Sequence, residues 1–285
     1  MNASRRLTVT AGMAAVLVLI TVAGPWLTPY DANAQLDIIA LRSQAPSLAH
    51  PFGTDGVGRD VLSRVLDGAR ISLLLATLSV VLSLIVGTLY GALSTLAGGS
   101  VHAAMQRLID VALAIPRLLL LLAIAALWGA VSLPALILLV GLTGWFATAR
   151  LVADDLAALR GREFTVAARA LGVRPVRLLW RHLFPHLLPT LAINASFGVA
   201  GTIALEAGLS YLGLGIQPPQ ASWGTILRDG SGVMQTEWWL TFFPGLATVF
   251  AVLACNALGD ALRERFAPAH VPSRSAPPLP RAVRP

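Results

Sequence analysis

The fold of this chain is decided by residues 71–97, which read ISLLLATLSVVLSLIVGTLYGALSTLA and contain no charged side chain. A helix needs about 20 apolar residues to cross the hydrocarbon core of a bilayer. Inside lipid, only a helix or a closed barrel satisfies its own backbone hydrogen-bonding groups. Five further apolar runs approach this length, and the six predicted spans are residues 7–28, 71–97, 105–127, 131–149, 187–212 and 239–259. We therefore predict an all-α, polytopic membrane helical bundle with six transmembrane helices.

The composition supports a membrane protein and excludes several classes of function. Hydrophobic residues make up 56% of the 285 residues and charged residues only 12%, whereas a soluble domain carries about 25% charged residues. All 21 basic residues are arginine, so no lysine is present for a phosphate-binding loop or a Schiff base. The single cysteine, Cys255, cannot form an intrachain disulfide.

The distribution of arginine predicts the orientation of the bundle. With the N-terminus inside, fifteen arginines fall in inside segments and five in outside segments, and positive residues accumulate on the cytoplasmic side of membrane proteins. Both termini are therefore expected in the cytoplasm. Because the arginines lie at the ends of apolar runs, the net charge of +7 does not indicate nucleic-acid binding.

The first span has an alternative interpretation as a cleavable signal. Ser4-Arg5-Arg6 resembles the start of a twin-arginine signal, and Ala32-Asn33-Ala34 would suit a signal peptidase. The apolar run is longer than the about 7–15 residues of a signal core. We therefore favour an uncleaved first helix.

The segments outside the spans complete the predicted organisation. Residues 29–70 form one outside segment, and its last part, residues 59–70, places apolar side chains on one helical stripe as an interfacial helix would. Residues 209–237, rich in Gly and Pro, form a second outside segment. Three parts are expected: the first helix with its outside loop and interfacial helix, the main transmembrane domain, and a disordered cytoplasmic tail, at residues 1–70, 71–265 and 266–285.

The basic inside segment at residues 150–186 carries the clearest functional pattern. Residues 163–171 have the spacing of a short helix that stops at Gly172. A second helix is expected to open near Pro175 and to end before Pro185. Two short helices with small residues on one face form a knob that a groove of another protein can approach closely. The pattern also fits a loop that lies on the membrane surface through its arginines, and the residues alone do not separate these interpretations.

Several ordered motifs resemble those of the dipeptide, oligopeptide and nickel permease family of ABC importers. One family signature precedes the second span, another lies in the second outside segment, and a third ends the last span. The matching segments are residues 50–55, 58–64, 68–73, 209–219, 222–224 and 256–263. The resemblance covers nearly the whole chain.

The inside knob resembles the EAA motif of these permeases, which docks into a cleft of the ATPase subunit. The match rests on Ala167-Ala168, Gly172 and Pro185, whereas the Glu usual at the first position is Val166 here. The resemblance thus implies a cytoplasmic coupling-helix loop. The residues expected to dock onto the ATPase are Glu163, Ala167, Ala168, Arg169, Leu171, Gly172 and Arg174.

The resemblance also implies a function and a set of partners. It implies a multi-pass permease subunit of the bacterial inner (plasma) membrane that forms the path for peptides or related small solutes, nickel included. The implied partners are a second homologous permease, two ABC ATPase subunits and an extracytoplasmic solute-binding protein that meets the two outside segments. No catalytic residue and no cofactor are expected in this chain, because ATP would be bound by the partner subunits. The alternatives are an ATP-independent secondary transporter or channel, and a membrane-anchored scaffold.

Polar residues inside the predicted spans are candidates for the pathway. An intramembrane ionisable group is costly and usually faces a bundle interior or a water-filled cavity. Glu206, Asp110 and Asn194 are therefore candidate pathway or gating residues. For Glu206 the alternative is a carboxylate near the outer interface that pairs with an outside arginine such as Arg59 or Arg228.

Other patterns in the spans are interpreted as structural. Gly87 and Gly91 allow two helices to pack closely, and Pro116 is expected to kink the third span. His182 and His186 have the spacing of two metal ligands on a helix. Pro185 interrupts that helix and no Glu follows His182, so no metal site is expected.

Overall fold

The structure is a computed structural model that describes residues 3–35, 37–129 and 131–266. Over these residues the chain forms ten α-helices and no β-strand: α1 (Ala3–Leu27), α2 (Val61–Ala97), α3 (Gly99–Ala114), α4 (Arg117–Trp128), α5 (Leu133–Arg160), α6 (Glu163–Ala170), α7 (Pro175–Leu178), α8 (Phe184–Tyr211), α9 (Trp223–Ser231) and α10 (Trp239–Phe266). A π-helical turn, Leu179–Leu183, joins α7 to α8. The predicted all-α fold is confirmed. The predicted disordered tail lies outside the described residues from position 267 onward.

Six membrane crossings fit the described helices. α1, α2, α5, α10 and α8 with its preceding turns are each long and apolar enough to span a bilayer. α3 and α4 pass the same test together but are bent by 75°. The bend falls at Pro116, whose ring and missing N–H stop a helix. With the bent pair counted as one span, the number agrees with the predicted six, and the predicted kink is confirmed.

The interfacial helix predicted at residues 59–70 is wrong as a separate element. The first turns of α2 occupy this segment, so α2 begins at Val61 and crosses the predicted boundary at residue 70 without a break. The apolar stripe, with Val65 and Ala69, is buried against the protein rather than laid on the membrane surface. Asp60 caps the helix by accepting a hydrogen bond from the backbone N–H of Ser63 at 2.8 Å.

Two glycines bring α2 and α5 into close contact. A Cβ added to Gly87 would lie 2.6 Å from Thr148 Cβ, and one added to Gly91 would lie 2.6 Å from the carbonyl oxygen of Ala149. Real Cβ atoms do not approach so closely, so only glycine fits at these two positions. The prediction of close helix packing at Gly87 and Gly91 is confirmed.

We expect Gly87→Ala to lower the free energy of unfolding by about 1–3 kcal/mol, because overpacking forces the two helices apart. Thermal unfolding of the detergent-purified protein measures this loss. Gly201→Ala is the matched control, because Gly201 is an exposed helical glycine with no atom within 4 Å of the added Cβ. The control is expected to gain up to about 1 kcal/mol from helix propensity, and equal behaviour of the two variants would contradict the packing argument.

The beginning of α1 and the end of α10 lie side by side. Arg6 Nη1 is 2.6 Å from Glu264 Oε1, and both side chains are about half exposed. α1 also packs along α10 and α2. The described ends of the chain are therefore on the same side of the bundle.

Candidate functional site

The predicted knob is formed by α6, α7 and the turn between them. Gly172 has a φ of +76°, a left-handed conformation that glycine adopts without steric cost. This glycine ends the first helix, as expected. Pro175 lies at the start of α7, where a missing N–H is tolerated. The two short helices and the stop at Gly172 are confirmed.

The predicted end of the second helix before Pro185 is wrong. α7 continues through the π-helical turn Leu179–Leu183 into α8, and Pro185 lies in the first turn of α8. A π turn is wider than an α turn, so the chain passes the proline ring without ending the helix. The knob is therefore continuous with a membrane-spanning helix.

The underside of the knob is packed against the bundle. Thr165 is fully buried and donates a hydrogen bond to the carbonyl oxygen of Leu159 at 2.8 Å. Ala168 is only 8% exposed. It lies in a cluster of buried leucines from α5, the π-helical turn and α8, which are Leu156, Leu178, Leu179, Leu183 and Leu187. The prediction that Ala168 is a docking contact is therefore corrected: its small side chain allows α6 to approach the bundle.

The other six predicted docking residues are exposed: Glu163, Ala167, Arg169, Leu171, Gly172 and Arg174. Arg169 also lines a cavity between the knob and the bundle, so it is not counted in the outward surface. Leu171 is 85% exposed, and the sequence interpretation missed the exposed side chains of Val166 and Val176, which lie on either side of it in the sequence. We call this surface the docking face and define it as Glu163, Val166, Ala167, Leu171, Gly172, Arg174 and Val176. Large exposed apolar side chains grouped with polar residues are typical of an interaction site.

A cavity of about 290 Å³ lies between the knob and the ends of α2 and α5. It is lined by Thr95, Leu96, Arg160, Arg169, Val173, Pro175, Leu178, Leu179 and Leu183. Arg160 donates a hydrogen bond to the carbonyl oxygen of Thr95, which joins the end of α5 to the end of α2. The knob is therefore in contact with the ends of α2 and α5 and continuous with α8.

An ion network centred on the buried side chains of Asp55 and Arg64 organises the opposite end of the bundle. Arg64 of α2 donates from Nη1 to Asp55 at 2.7 Å and from Nη2 to Asp229 of α9 at 2.9 Å. Arg59 donates from Nε to Asp55 at 2.7 Å. We call Asp55, Arg59, Arg64 and Asp229 the outer network. It connects the first outside segment, α2 and α9.

The rest of the first outside segment is held by hydrogen bonds to α2 and α10. His50 Nδ1 lies 2.9 Å from Asp60 Oδ1, with both side chains buried. Trp239 Nε1 donates to the carbonyl oxygen of Thr54 at 3.0 Å. Gly53 has a φ of +75°, and a Cβ there would lie 2.9 Å from the Trp239 ring. Residues 50–64 therefore hold the outside loop against the helices. The family resemblance did not predict this structural role.

Glu206 lies in a fully buried cluster of serines. Its Oε2 accepts a hydrogen bond from Ser72 Oγ at 2.9 Å, and its Oε1 accepts one from Ser210 Oγ at 2.6 Å. The predicted alternative pairing with Arg59 or Arg228 is wrong, because Glu206 accepts hydrogen bonds from serine hydroxyls and Arg59 is paired with Asp55. The backbone N–H of Trp223 donates to Ser72 Oγ at 3.3 Å. The carboxylate thus ties α8 to α2 and, through a serine, to the start of α9.

The other two candidate pathway residues lie apart from Glu206. Asp110 of α3 forms an ion pair with Arg150 of α5, and both side chains are about half exposed. Asn194 of α8 donates from Nδ2 to Thr148 Oγ1 at 3.1 Å. The structure does not bring the three candidates together into one site.

The comparison with protein families decides the class of this membrane protein. A family model described as a binding-protein-dependent transport system inner membrane component matches residues 79–270. The chain belongs to this family. It is therefore a multi-pass inner membrane component of a transport system, and the predicted assignment to the ABC importer permeases, rather than to enzymes, is confirmed. Family membership also implies association with an ATPase and a solute-binding protein.

Relatives of this transport component carry names that include permease. A Brucella suis protein with the name of a peptide permease is 44% identical over 245 residues, which cover 85% of this chain and 80% of the relative. The dipeptide transport system permease protein of Bacillus subtilis is 33% identical, with 88% of this chain and 78% of that protein covered. The oligopeptide transport system permease protein of Haemophilus influenzae is 34% identical, with coverages of 90% and 82%.

A solved structure supports the fold of this transport component. A chain of the methionine ABC transporter MetNI, in an inward-facing conformation, superposes with a TM-score of 0.59 at 20% sequence identity. The match covers 72% of this chain and 97% of that chain. The likeness confirms the permease fold.

Proposed function

We propose that this chain is the permease subunit of an ATP-driven importer of peptides. The peptide class is supported by the names of the relatives, which include dipeptide and oligopeptide transport permeases. The proposed complex contains a second homologous permease, two ABC ATPase subunits that bind the ATP, and an extracytoplasmic solute-binding protein. The main structural support for an ATP-driven mechanism is the docking face. It is an exposed apolar surface on a knob whose other side is packed against the bundle.

The proposed orientation places the docking face and both termini in the cytoplasm. It is supported by the excess of arginine in the inside segments and by the ion pair of Arg6 with Glu264 at one side of the bundle. The outer network and α9 then lie on the extracytoplasmic side, where the binding protein delivers the solute.

The proposed mechanism converts closure of the ATPase subunits into movement of the helices. The closing subunits displace the docking face. Thr165 and Ala168 transmit this displacement because they are packed on α5 and α8, and the π-helical turn continues directly into α8. Rigid-body rocking of packed helices about an interface is a common route to alternating access.

We propose Asp110 and Asn194 as contacts along the pathway and Glu206 as a gating residue. The side chain of Asp110 is about half exposed, and that of Asn194 is partly buried. Glu206 is fully buried, so it acts by holding α8, α2 and α9 together rather than by touching the solute.

Leu171→Asp tests the docking assignment. We expect ATP-dependent uptake and solute-stimulated ATP hydrolysis to fall by about tenfold or more, because a charge replaces the apolar tip of an interface. The measurement uses the complete complex reconstituted in liposomes, with radiolabelled dipeptide, oligopeptide or nickel as the solute. Uptake of nickel without peptide would contradict the peptide class.

The matched control for this test is Phe266→Asp. Phe266 is 47% exposed at the end of α10, so the same charge is introduced outside the docking face and outside the segments expected to meet the binding protein. Both variants are expected to insert normally into the membrane. Full coupled transport by Leu171→Asp would refute the docking assignment, and equal losses in both variants would show that the effect is not specific to the knob.

A further inference from the structure

The knob carries a strong excess of positive charge around its apolar tip. The exposed arginines of the knob and of the residues that flank it outnumber the single carboxylate in this stretch, Glu163. They are Arg162, Arg169, Arg174, Arg177 and Arg181. Among the residues that the structure describes, none of these five arginines lies within 4.0 Å of a carboxylate oxygen. Their positive charge is thus available to a partner.

The arrangement of apolar and charged residues indicates how a partner would fit. Val166, Leu171 and Val176 supply exposed apolar contacts, whereas Arg162 and Arg174 are the residues that precede α6 and α7. The EAA position that would carry an acidic side chain is Val166 here. An apolar centre flanked by cations is complementary to a groove with an apolar floor and carboxylates on its rim.

We propose that the docking face binds a groove of the ATPase subunit whose rim is acidic and contacts Arg162 and Arg174. This inference rests on the proposed function and specifies the chemistry of that partner surface. Opposite charges across an interface fix its register and reject partners with like charge. The basic rim would therefore select the cognate ATPase from those of other importers.

The absence of lysine makes a direct test possible. Arg174→Lys keeps the positive charge and introduces the only side-chain amine in the chain, since all 21 basic residues are arginine. A carbodiimide joins an amine to a carboxylate only where the two are in contact. We expect the complex that carries Arg174→Lys to form a zero-length crosslink to an Asp or Glu of the ATPase. Mass spectrometry locates the crosslink at position 174, which separates it from a bond between a carboxylate of this chain, such as Glu163, and an amine of the ATPase. The wild-type complex is expected to form no crosslink at position 174, and Arg42→Lys in the exposed outside segment is expected to form none to the ATPase at position 42.

Charge reversal provides a second readout. The double variant Arg162→Glu with Arg174→Glu is expected to reduce the ATPase that copurifies with the tagged chain by about tenfold or more. Arg42→Glu should leave it unchanged. Rising salt should weaken the wild-type complex, because exposed charges are screened over about 8–10 Å.

Three outcomes would overturn the proposal in distinguishable ways. If Leu171→Asp abolishes copurification but charge reversal and the crosslink have no effect, the partner groove is apolar without an acidic rim, and the proposed function stands. If neither Leu171→Asp nor charge reversal changes copurification, docking at this face fails altogether. If charge reversal acts in nanodiscs with anionic lipid but not in nanodiscs of phosphatidylcholine alone, the arginines contact lipid headgroups instead of the ATPase.

Discussion

Replacing Arg64 by alanine is expected to lower the free energy of unfolding by about 3–5 kcal/mol, the cost of removing one partner from a buried ion pair. Arg64 is nearly inaccessible and joins Asp55 to Asp229. Without it, the buried carboxylate of Asp55 retains Arg59 as its cationic partner but loses the other. The N-terminal turns of α2 and the end of α9 also lose their connection. Thermal unfolding followed by tryptophan fluorescence, with membrane accumulation as a second readout, measures the loss.

Arg59→Ala and Arg64→Met are the controls for this expectation. Arg59 is more exposed than Arg64, and Asp55 keeps Arg64 in this variant, so the loss should be about 1 kcal/mol or less. Arg64→Met keeps much of the apolar stem and removes the charge. It should remain almost as destabilised as Arg64→Ala if the ion network, and not the volume of the side chain, stabilises this end of the bundle. Equal stability of Arg64→Ala and Arg59→Ala would contradict the assigned role.

The spans and the helix breaks could be predicted because they depend on local chemistry. An apolar run of sufficient length crosses a membrane in any fold, and Pro116 and Gly172 end helices through their own backbone restrictions. The close packing at Gly87 and Gly91 was likewise visible from a spacing that places both on one helix face. These features need no knowledge of which elements become neighbours.

The predictions from the sequence that were wrong concern patterns that two different environments can explain. The apolar stripe at residues 59–70 fits either a membrane surface or a protein surface, and only the packing of α9 on α2 shows the second. A small residue such as Ala168 favours close approach on whichever side of α6 it lies. The contact of Arg64 with Asp229 joins residues 165 positions apart, so it depends on the tertiary fold and has no local signal.

Glu206→Ala is expected to lower the free energy of unfolding by about 2–5 kcal/mol, because it leaves buried hydroxyls without their acceptor and opens a cavity. Ser72 and Ser210 both donate to this carboxylate. Ser72 also accepts from the backbone of Trp223, so the start of α9 should loosen. In the reconstituted complex we expect higher ATP hydrolysis without solute, since the outer end of the bundle would no longer be held in one arrangement.

Glu206→Gln separates a holding role from direct contact with the solute. The amide keeps the volume of the carboxylate, and it accepts at its oxygen and donates at its nitrogen to a hydroxyl that can rotate. If Glu206 holds the helices, Glu206→Gln should stay within about 1 kcal/mol of wild type and keep its transport rate, whereas Glu206→Ala loses both stability and coupling. If the charge of Glu206 instead binds the solute, Glu206→Gln would abolish uptake while unfolding at the wild-type temperature. Because the carboxylate is fully buried among α2, α8 and the start of α9, we expect the first of these two results.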